Sequence, residues 1–492
     1  MDEAKTVGQR ARLGLSWVGV LFFAAVALLA TIHLLADGWA IASRLNSLSG
    51  LLGVLVSVAV IAAGLAWTVG IAWLAGSGKQ RATIAVIAAF ITLVAVRLII
   101  AYSYDGVLSG EPGVYSSHAA RLAAGECCPW DEPIDRPPGY SFLLAGAFSI
   151  FGRSAVVPEA LNILFAVATG LLVFEMARGL YGIQAGAVAM LLYGLWPAGA
   201  LMVTVRLPHT AYDLAFLAAA WAVIATPAGW RGSALAGAIL GISQYIRPTT
   251  LLLLPVFIVA RVWPGARVRT LFTGAILPLA TMFLVVLIPI MAWNLSTRGA
   301  LDVSTSAYSG HSMYHGTNVT SGGTWSSQAA DELKELGGPD RWERNRVGTR
   351  LALERLREDP LGMIALALRK QDTFWGAEAY GIRYGIRRDL ASRPYLPKSV
   401  LPSLASGTFY AAVLAAAALG LYLRRRESDA LAALLILTAL SLTLIHGLVE
   451  VRDRYHSYVI PVLMPIAAVA VVALVNTVRL RRQPRASDRV DR

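Results

Sequence analysis

The chain has 492 residues, of which 56% are hydrophobic and only 15% are charged, and its mean hydropathy is +0.59. A composition this apolar excludes an ordinary soluble globular protein and predicts an all-α polytopic membrane protein. The formal net charge of +13 does not indicate a nucleic-acid partner, because many Lys and Arg residues lie in short connections between apolar segments, where they orient a membrane protein.

We predict twelve transmembrane spans. They cover residues 15–36, 49–76, 83–103, 156–178, 184–204, 211–227, 233–247, 249–263, 268–293, 402–424, 429–449 and 456–478. An even number places both termini on one side, and basic residues before the first span and after the last predict that this side is cytoplasmic. We therefore expect a multi-pass protein of the plasma (inner) membrane. Its outer loops would be residues 104–140, 205–210, 295–400 and 450–455.

The spans divide the chain into five predicted parts. Residues 1–82 form two extra N-terminal helices, 83–294 a transmembrane core, 295–400 a mixed extracytoplasmic domain, 401–478 the C-terminal transmembrane helices and 479–492 a basic cytoplasmic tail. The apolar stretch from Tyr140 to Phe151 is only about twelve residues long, too short for a full crossing. It is predicted to be a re-entrant or outer-leaflet helix that begins after Pro137 and Pro138.

The first outer loop concentrates the acids of a chain that has few charges. Six carboxylates lie close together there: Asp105, Glu111, Glu126, Asp131, Glu132 and Asp135. Charge beside a bilayer is costly unless it serves a function. This loop is therefore the first place to look for chemistry.

Several motifs, in order along the chain, resemble GT-C superfamily glycosyltransferases, and within them the protein mannosyltransferase and aminoarabinose transferase branch. The motifs are Glu111-Pro-Gly-Val-Tyr115, Arg136-Pro-Pro-Gly-Tyr140, Ala177–Gly182, Ile246–Thr249, Trp293–Gly299 and Arg454-Tyr455. The resemblance covers roughly residues 83–478. No single motif is as specific as a P-loop.

The resemblance implies a GT-C-like fold of about twelve transmembrane helices and a transferase activity. Such enzymes take a hexosyl or pentosyl group from a polyprenyl-phosphate donor at the outer face. They pass it, with inversion at the anomeric carbon, to an acceptor in the cell envelope. The acceptor is a lipid, a glycan or a protein, and the sequence does not choose among them.

The resemblance points to Glu111 as the catalytic base, since the family has an aspartate four residues before the tyrosine of this loop. A base is needed because the acceptor hydroxyl must lose its proton as the new bond forms. Glutamate keeps the carboxylate and lengthens the side chain by one methylene, so Asp105 is a second candidate. The alternative is that both are solvated loop acids.

The leaving phosphate needs cationic neutralisation, which guanidinium and ammonium groups provide. The candidates for holding it are Arg247, Arg454, Arg206, Arg452 and Lys370. Arg247 is the first of these, because it lies between apolar segments, where a charge is functional by default. Arg452 and Arg454 are equally well explained as an ion-pair cluster with Asp453, and Lys370 as a residue that reaches the membrane interface. Whether a divalent metal takes part stays open.

Seven further residues are expected to contact substrate: Tyr115, Tyr140, His209, Asp213, Tyr308, His311 and Asn318. His209 stands where the family commonly has an acid, and it is either functional or a hydrogen-bonded histidine at a helix start. His311 and His315 are four residues apart, but their Gly- and Ser-rich surroundings predict a loop. That argues against a zinc site on a helix.

Two other functions agree with the same sequence. A polytopic transporter or lipid flippase would also have many spans and intramembrane arginines, although it would more often place its ionisable residues near the membrane midplane. A GT-C relative without activity would retain the motifs and depart from them at Glu111 and His209.

Overall fold

The computed structural model describes residues 2–42, 48–104, 106, 110–126, 136–227, 229–263, 272–378, 381–382, 386, 397–427 and 429–482. Helices α1 to α11 span Asp2–Ala42, Leu48–Ala75, Lys79–Ser103, Glu111–Ala123, Gly139–Phe151, Val156–Tyr181, Ile183–Leu195, Pro197–Leu201, His209–Ala225, Trp230–Ile246 and Thr250–Val262. Helices α12 to α19 span Leu277–Arg298, Ser309–Gly316, Ser327–Gly337, Arg341–Glu358, Pro360–Trp375, Pro397–Arg424, Ala430–Leu448 and Ile460–Arg482. A 3₁₀ segment, Asp453–Val459, precedes α19.

The described part of the chain contains helices and no strand, as the sequence predicts. In that part, eight helices are long and apolar enough to cross a membrane, and the bent pair α7–α8 would make a ninth. The predicted count of twelve is not confirmed. Helices α9, α10 and α11 have only 17, 17 and 13 residues, so at about 1.5 Å per residue they fall short of a core of roughly 30 Å.

Helix α7 lies at the centre of the bundle, where every residue from Ala185 to Gly194 is buried. Helices α3, α6 and α19 pack around it. The two N-terminal helices lie at the periphery instead: α1 packs on α17, and α2 packs on α3, α7 and α17. The predicted short helix after the double proline is present as α5, and it packs on α4 and α6.

A buried arginine explains how the bend between α7 and α8 is tolerated. Pro197 has no N–H, so the carbonyl of Tyr193 loses its normal helical partner at the bend. The Arg97 guanidinium donates to this carbonyl at 2.7 Å and also to the carbonyl of Gly194. Arg97 is fully buried in α3 and lies against the Tyr193 ring. Its charge has a structural role.

The region predicted to be a mixed domain is helical in its described part, which corrects the prediction. Helices α14, α15 and α16 each begin at a residue whose side chain accepts a hydrogen bond from the first turn: Ser326, Asp340 and Asp359. Such N-caps favour helix formation. A small core of Tyr314, Ala329, Leu333 and Val347 joins α13, α14 and α15.

Candidate functional site

The four predicted outer loops come together in the folded chain. The first loop contributes Glu111 and Arg136, and the short second loop contributes His209. The third contributes Tyr308, and the fourth contributes Glu450 and Arg454. These side chains, with Arg247, form one network of ion pairs and ring contacts. We call this network the arginine cluster, after Arg136, Arg247, Arg452 and Arg454.

Glu111 lies at the first turn of α4, followed by Pro112. An acid and a proline are both favoured at a helix N-terminus, since the acid interacts with the helix dipole and the proline N–H would be unpaired there anyway. Its Oε2 accepts a hydrogen bond from Arg454 Nη2 at 2.7 Å, and its Oε1 lies 3.8 Å from Arg136 Nε. Burial would raise the pKa of Glu111, but Arg454 and Arg136 outweigh it and lower the pKa to about 2.

Arg247 directly follows α10 and precedes Pro248, which favours an extended backbone at this position. Its Nη2 lies 3.1 Å from Nε2 of His209, so the histidine accepts and the guanidinium donates. The guanidinium also lies between 5.4 and 5.7 Å from three tyrosine ring centres, those of Tyr212, Tyr455 and Tyr458. Such cation–π contacts hold the cation in place.

Glu450 is a second carboxylate of the network, and it is almost completely buried. It pairs with Arg452 Nε at 2.8 Å and accepts hydrogen bonds from the phenols of Tyr308 and Tyr455, both at 3.4 Å. Burial and the neighbouring Glu450 raise the pKa of Tyr308, so its phenol stays protonated and can donate. Burial would lower the pKa of Arg452, but Glu450 raises it.

The structure corrects the prediction of a loop at His311 and His315. Both residues lie on helix α13, with ring centres 4.4 Å apart. Gly310, at the start of α13, packs against the Asn345 backbone of α15, a position with no room for a side chain. Among the described residues, no group of three or more His, Cys, Asp or Glu side chains is placed to hold a metal ion.

Tyr115 and Tyr140 lie in the hydrophobic core, and their contact with substrate stays a prediction. Both are buried, and their rings pack edge to face at 5.7 Å. The Tyr140 hydroxyl donates to Asn162 Oδ1, which also accepts from Thr210, while Asn162 Nδ2 donates to backbone carbonyls of residues 203 and 205. Asn162 therefore joins α5, α6 and the start of α9 behind the site.

The Lys370 ammonium has backbone partners within the fold, and its contact with the donor phosphate stays a prediction. Its ammonium donates to the carbonyls of Gly316, Gly447 and Val449 at 2.7 to 3.0 Å, and an ammonium has only three donors. Asp213 lies buried one turn after His209, close enough to Arg247 to interact with it electrostatically. The Asp213 carboxylate therefore stabilises the Arg247 guanidinium from within the buried part of the bundle.

The other predicted residues have diverse positions. Arg206 is half-buried, and its charge acts on Tyr140. Asn318 begins a turn in which its Oδ1 accepts from the Ser321 N–H at 3.2 Å. Asp105 lies outside the described residues.

Two important residues of the site were not selected from the sequence. Arg136 was noted only as part of a motif, yet it contacts both Glu111 and Tyr308, whose ring centre is 4.6 Å from the guanidinium carbon. Glu450 was not considered. The signal for it is present in the sequence, since an isolated acid directly after an apolar span and two residues before Arg452 needs a partner.

The cluster as a whole is suited to an anion. Four guanidinium groups, those of Arg136, Arg247, Arg452 and Arg454, outnumber the two carboxylates that pair with them, Glu111 and Glu450. Guanidinium groups bind phosphate oxygens through paired hydrogen bonds. The Glu111 carboxylate beside these guanidinium groups is a group that can accept a proton.

Residues 135–293, about a third of the chain, match the model of the dolichyl-phosphate-mannose-protein mannosyltransferase family. The fold is similar to that of the oligosaccharyltransferase of Archaeoglobus fulgidus in its apo form, with a TM-score of 0.51 and 14% identity, over 82% of this chain and 52% of the other. The chain has a GT-C-like fold. This confirms the resemblance that the motifs indicate.

Two further solved structures are similar to this chain. The oligosaccharyltransferase AglB of the same archaeon, in complex with an inhibitory peptide and a dolichol-phosphate, has a TM-score of 0.48 and 13% identity over 82% of this chain and 51% of that one. ArnT from Cupriavidus metallidurans, bound to undecaprenyl phosphate, has a TM-score of 0.37 and 13% identity over 78% and 76% of the two chains. This chain spans about half the length of the archaeal oligosaccharyltransferases that it matches. No curated protein sequence matches it significantly.

Proposed function

We propose that the protein is a membrane glycosyltransferase that moves a sugar from a polyprenyl-phosphate donor to a cell-envelope acceptor. The observation that carries the proposal is the arginine cluster around Glu111, built from the four predicted outer loops. The family match and the GT-C-like fold support the same class of reaction. In this proposal the cluster neutralises the phosphate of a lipid at the outer membrane surface.

In this proposal Arg454 and Arg247 bind the donor phosphate, and Arg136 and Arg452 complete the positive field. Arg247 is held by three tyrosine rings and Arg454 lies over Tyr455 at 5.1 Å, so both are positioned before the donor arrives. Preorganised charge is the largest source of catalysis in many enzymes, because it is not reoriented during the reaction. The developing negative charge on the leaving phosphate is stabilised in this way.

Glu111 is the proposed base, with its activity coupled to donor binding. A carboxylate with a pKa of about 2 is a weak proton acceptor. The donor phosphate competes with Glu111 for Arg454, and loss of this ion pair raises the pKa of the carboxylate. Glu111 then takes the acceptor proton while the hydroxyl oxygen bonds to the anomeric carbon. The bond from that carbon to the phosphate oxygen breaks with inversion, and the polyprenyl phosphate leaves with the electron pair.

The proposal also places the site on the outer face of the plasma membrane, with both termini inside. Basic groups near the other end of the bundle support this orientation: Arg479 donates to the carbonyl of Gly76 in the α2–α3 connection, and Arg424 pairs with Asp429 at the start of α18. A transporter or flippase would more often have its charges near the midplane. Here Glu111, Arg136, Glu450 and Arg452 lie outside the candidate spans.

The test is transfer by the purified protein in liposomes. The protein is supplied with polyprenyl-phosphate-linked mannose, glucose, galactose, arabinose or aminoarabinose and with a lipid and glycan extract, and products are identified by mass spectrometry. We expect one donor to be consumed, with its polyprenyl phosphate released and a glycosylated acceptor formed. Movement of the lipid-linked sugar across the liposome membrane without any product would refute the proposal in favour of a flippase.

A further inference from the structure

A row of planar side chains leads away from the arginine cluster. Tyr308 stacks on His311 with ring centres 4.6 Å apart, and His311 lies 4.4 Å from His315. His315 in turn stacks with Trp325 at 6.3 Å and 27°. The near end of the row contacts Arg136 over Tyr308. The far end is Trp325, which is 43% exposed, whereas His315 is fully buried.

Trp325 is held in place by a hydrogen-bonded turn. The Gly323 N–H donates to the Asn318 carbonyl at 2.9 Å, and the Val451 N–H donates to the Gly323 carbonyl at 3.1 Å, so the turn is fixed to the chain that carries Glu450 and Arg452. Gly322 and Gly323 both have a positive φ, of 63° and 73°, which only glycine adopts readily. An exposed tryptophan on so fixed a backbone loses little conformational entropy when it binds a ligand.

Polar donors lie beside the exposed indole. The Arg452 guanidinium carbon is 5.9 Å from the Trp325 ring centre. Its Nε is used by Glu450, while its two terminal nitrogens have no hydrogen-bond partner among the described residues. On the same turn, Asn318 uses its Oδ1 on Ser321, and its Nδ2 has no partner within the described part of the chain.

We propose that the exposed face of Trp325, with Arg452 and Asn318, is a subsite for a sugar ring of a carbohydrate acceptor. The C–H groups on one face of a pyranose or furanose ring are apolar and carry a small positive charge, which suits the negative face of the indole. The ring hydroxyls accept hydrogen bonds from the guanidinium and amide nitrogens. Small-ligand sites combine aromatic side chains with a few placed polar groups that fix the orientation of the ligand.

Because of its position, we assign the subsite to the acceptor and not to the donor. This assignment rests on the proposed function. The donor phosphate is assigned to Arg247 and Arg454 beside Glu111. Trp325 lies at the opposite end of the stacked row, and Glu450 connects the two ends because it contacts Arg452, Tyr308 and Tyr455. A sugar bound on Trp325 thus belongs to a chain that extends from the transfer site outward. The acceptor is a glycan, or a lipid that already carries sugar.

The experiment measures sugar binding without any donor. The full-length protein in detergent is mixed with the methyl glycosides of mannose, glucose, galactose and arabinofuranose and with their disaccharides, at millimolar concentration. Contact is detected by saturation-transfer difference NMR. The variant is Trp325→Ala. Trp230→Ala is the matched control, because Trp230 is also an exposed tryptophan beside an arginine, at 5.5 Å from Arg231, but lies outside the row.

We expect at least one sugar to bind the wild-type protein and the Trp230→Ala variant equally, with at least tenfold weaker binding to Trp325→Ala. Disaccharides should bind more tightly than monosaccharides. Failure of every sugar to bind, or equal binding to Trp325→Ala, overturns the subsite.

Undecaprenyl phosphate binding, measured by native mass spectrometry on the same samples, separates this result from the proposed function. Loss of sugar binding in Trp325→Ala with retained lipid binding supports the subsite and shows that the variant is folded. Intact lipid binding and transfer without any sugar bound to Trp325 overturns only the subsite.

Discussion

The Nη2 nitrogen of Arg454 lies 2.7 Å from Oε2 of Glu111, although the two residues are 343 positions apart in the chain. The contact joins the first predicted outer loop to the 3₁₀ segment before α19. It brings the predicted base into contact with a predicted phosphate-binding residue. In this arrangement the carboxylate occupies a place that a phosphate could take.

We expect Glu111→Gln to lose transfer while it keeps its fold and its lipid binding. Glutamine has the same shape but cannot accept the acceptor proton, and general-base catalysis contributes about 10²- to 10⁴-fold to a rate. The measurement is product formation with the donor identified in the liposome assay. Glu126→Gln is the control, since Glu126 also lies in the first loop but forms an exposed pair with Arg121. Wild-type turnover in Glu111→Gln would remove Glu111 from the mechanism.

The stability of the protein should depend on pH through Glu111. Its pKa is about 2 in the folded chain and ordinarily 4.5, so the ionised group stabilises the fold. That contribution is complete above about pH 4.5 and is lost as the pH falls toward 2. The shift is worth on the order of 2 kcal/mol after solvent screening of the 22% exposed side chain.

Unfolding curves of the wild type and of Glu111→Gln between pH 6 and pH 3 measure this effect. The two curves should differ in slope below pH 4.5, and Glu126→Gln should follow the wild type. Identical pH dependence in wild type and Glu111→Gln would contradict the ion pair with Arg454.

Removal of one member of the Glu450–Arg452 pair should cost more stability than removal of both. Glu450→Gln leaves Arg452 without its carboxylate, and breaking a buried pair on one side typically costs about 3–5 kcal/mol. In the double variant Glu450→Gln/Arg452→Gln no charge is left unpaired, so part of the loss should be recovered. A double-mutant cycle by denaturant unfolding measures the coupling. Additive effects would show that the pair contributes little.

The intramembrane Arg97 should be required for the fold and not for chemistry. Arg97→Leu leaves the Gly194 carbonyl without its donor, at about 1–3 kcal/mol for an unsatisfied group, and leaves the Tyr193 carbonyl with only the 3.4 Å bond from the Trp196 N–H. Adding Pro197→Ala supplies an N–H one turn after Tyr193, and should recover part of the lost thermal stability. Lipid binding per folded molecule should stay at the wild-type level in both variants. A specific loss of lipid binding in Arg97→Leu would assign the residue to the site.

Local sequence signals predicted those parts of the fold that depend on short stretches of chain. Apolar length identified the long spans, and the double proline before Gly139 predicted where the short helix α5 begins. Apolar length alone did not give the number of spans. The segments from residue 211 to 263 are apolar enough for spans, but the helices that form there are short and end at Arg247-Pro248 and at Trp263.

The candidate site was predicted in part for the same reason. Motifs identified Glu111, Arg247 and Arg454 because each stands in a local pattern. The motifs could not show that the Lys370 ammonium donates to three backbone carbonyls or that the Tyr140 hydroxyl donates to Asn162. They also could not show that Arg136 and Glu450 belong to the cluster. Those facts depend on partners from distant segments.

By itself, the sequence determined that the chain is an all-α membrane protein with an acidic loop after its third apolar segment and with motifs that resemble GT-C glycosyltransferases, because hydropathy and motifs are properties of neighbouring residues. Only the tertiary structure decided which charges meet. The energy of an ion pair depends on distance and burial, and both arise when loops separated by hundreds of residues converge. Glu111 and Arg454 are the clearest case, since neither residue indicates the other until the bundle is formed.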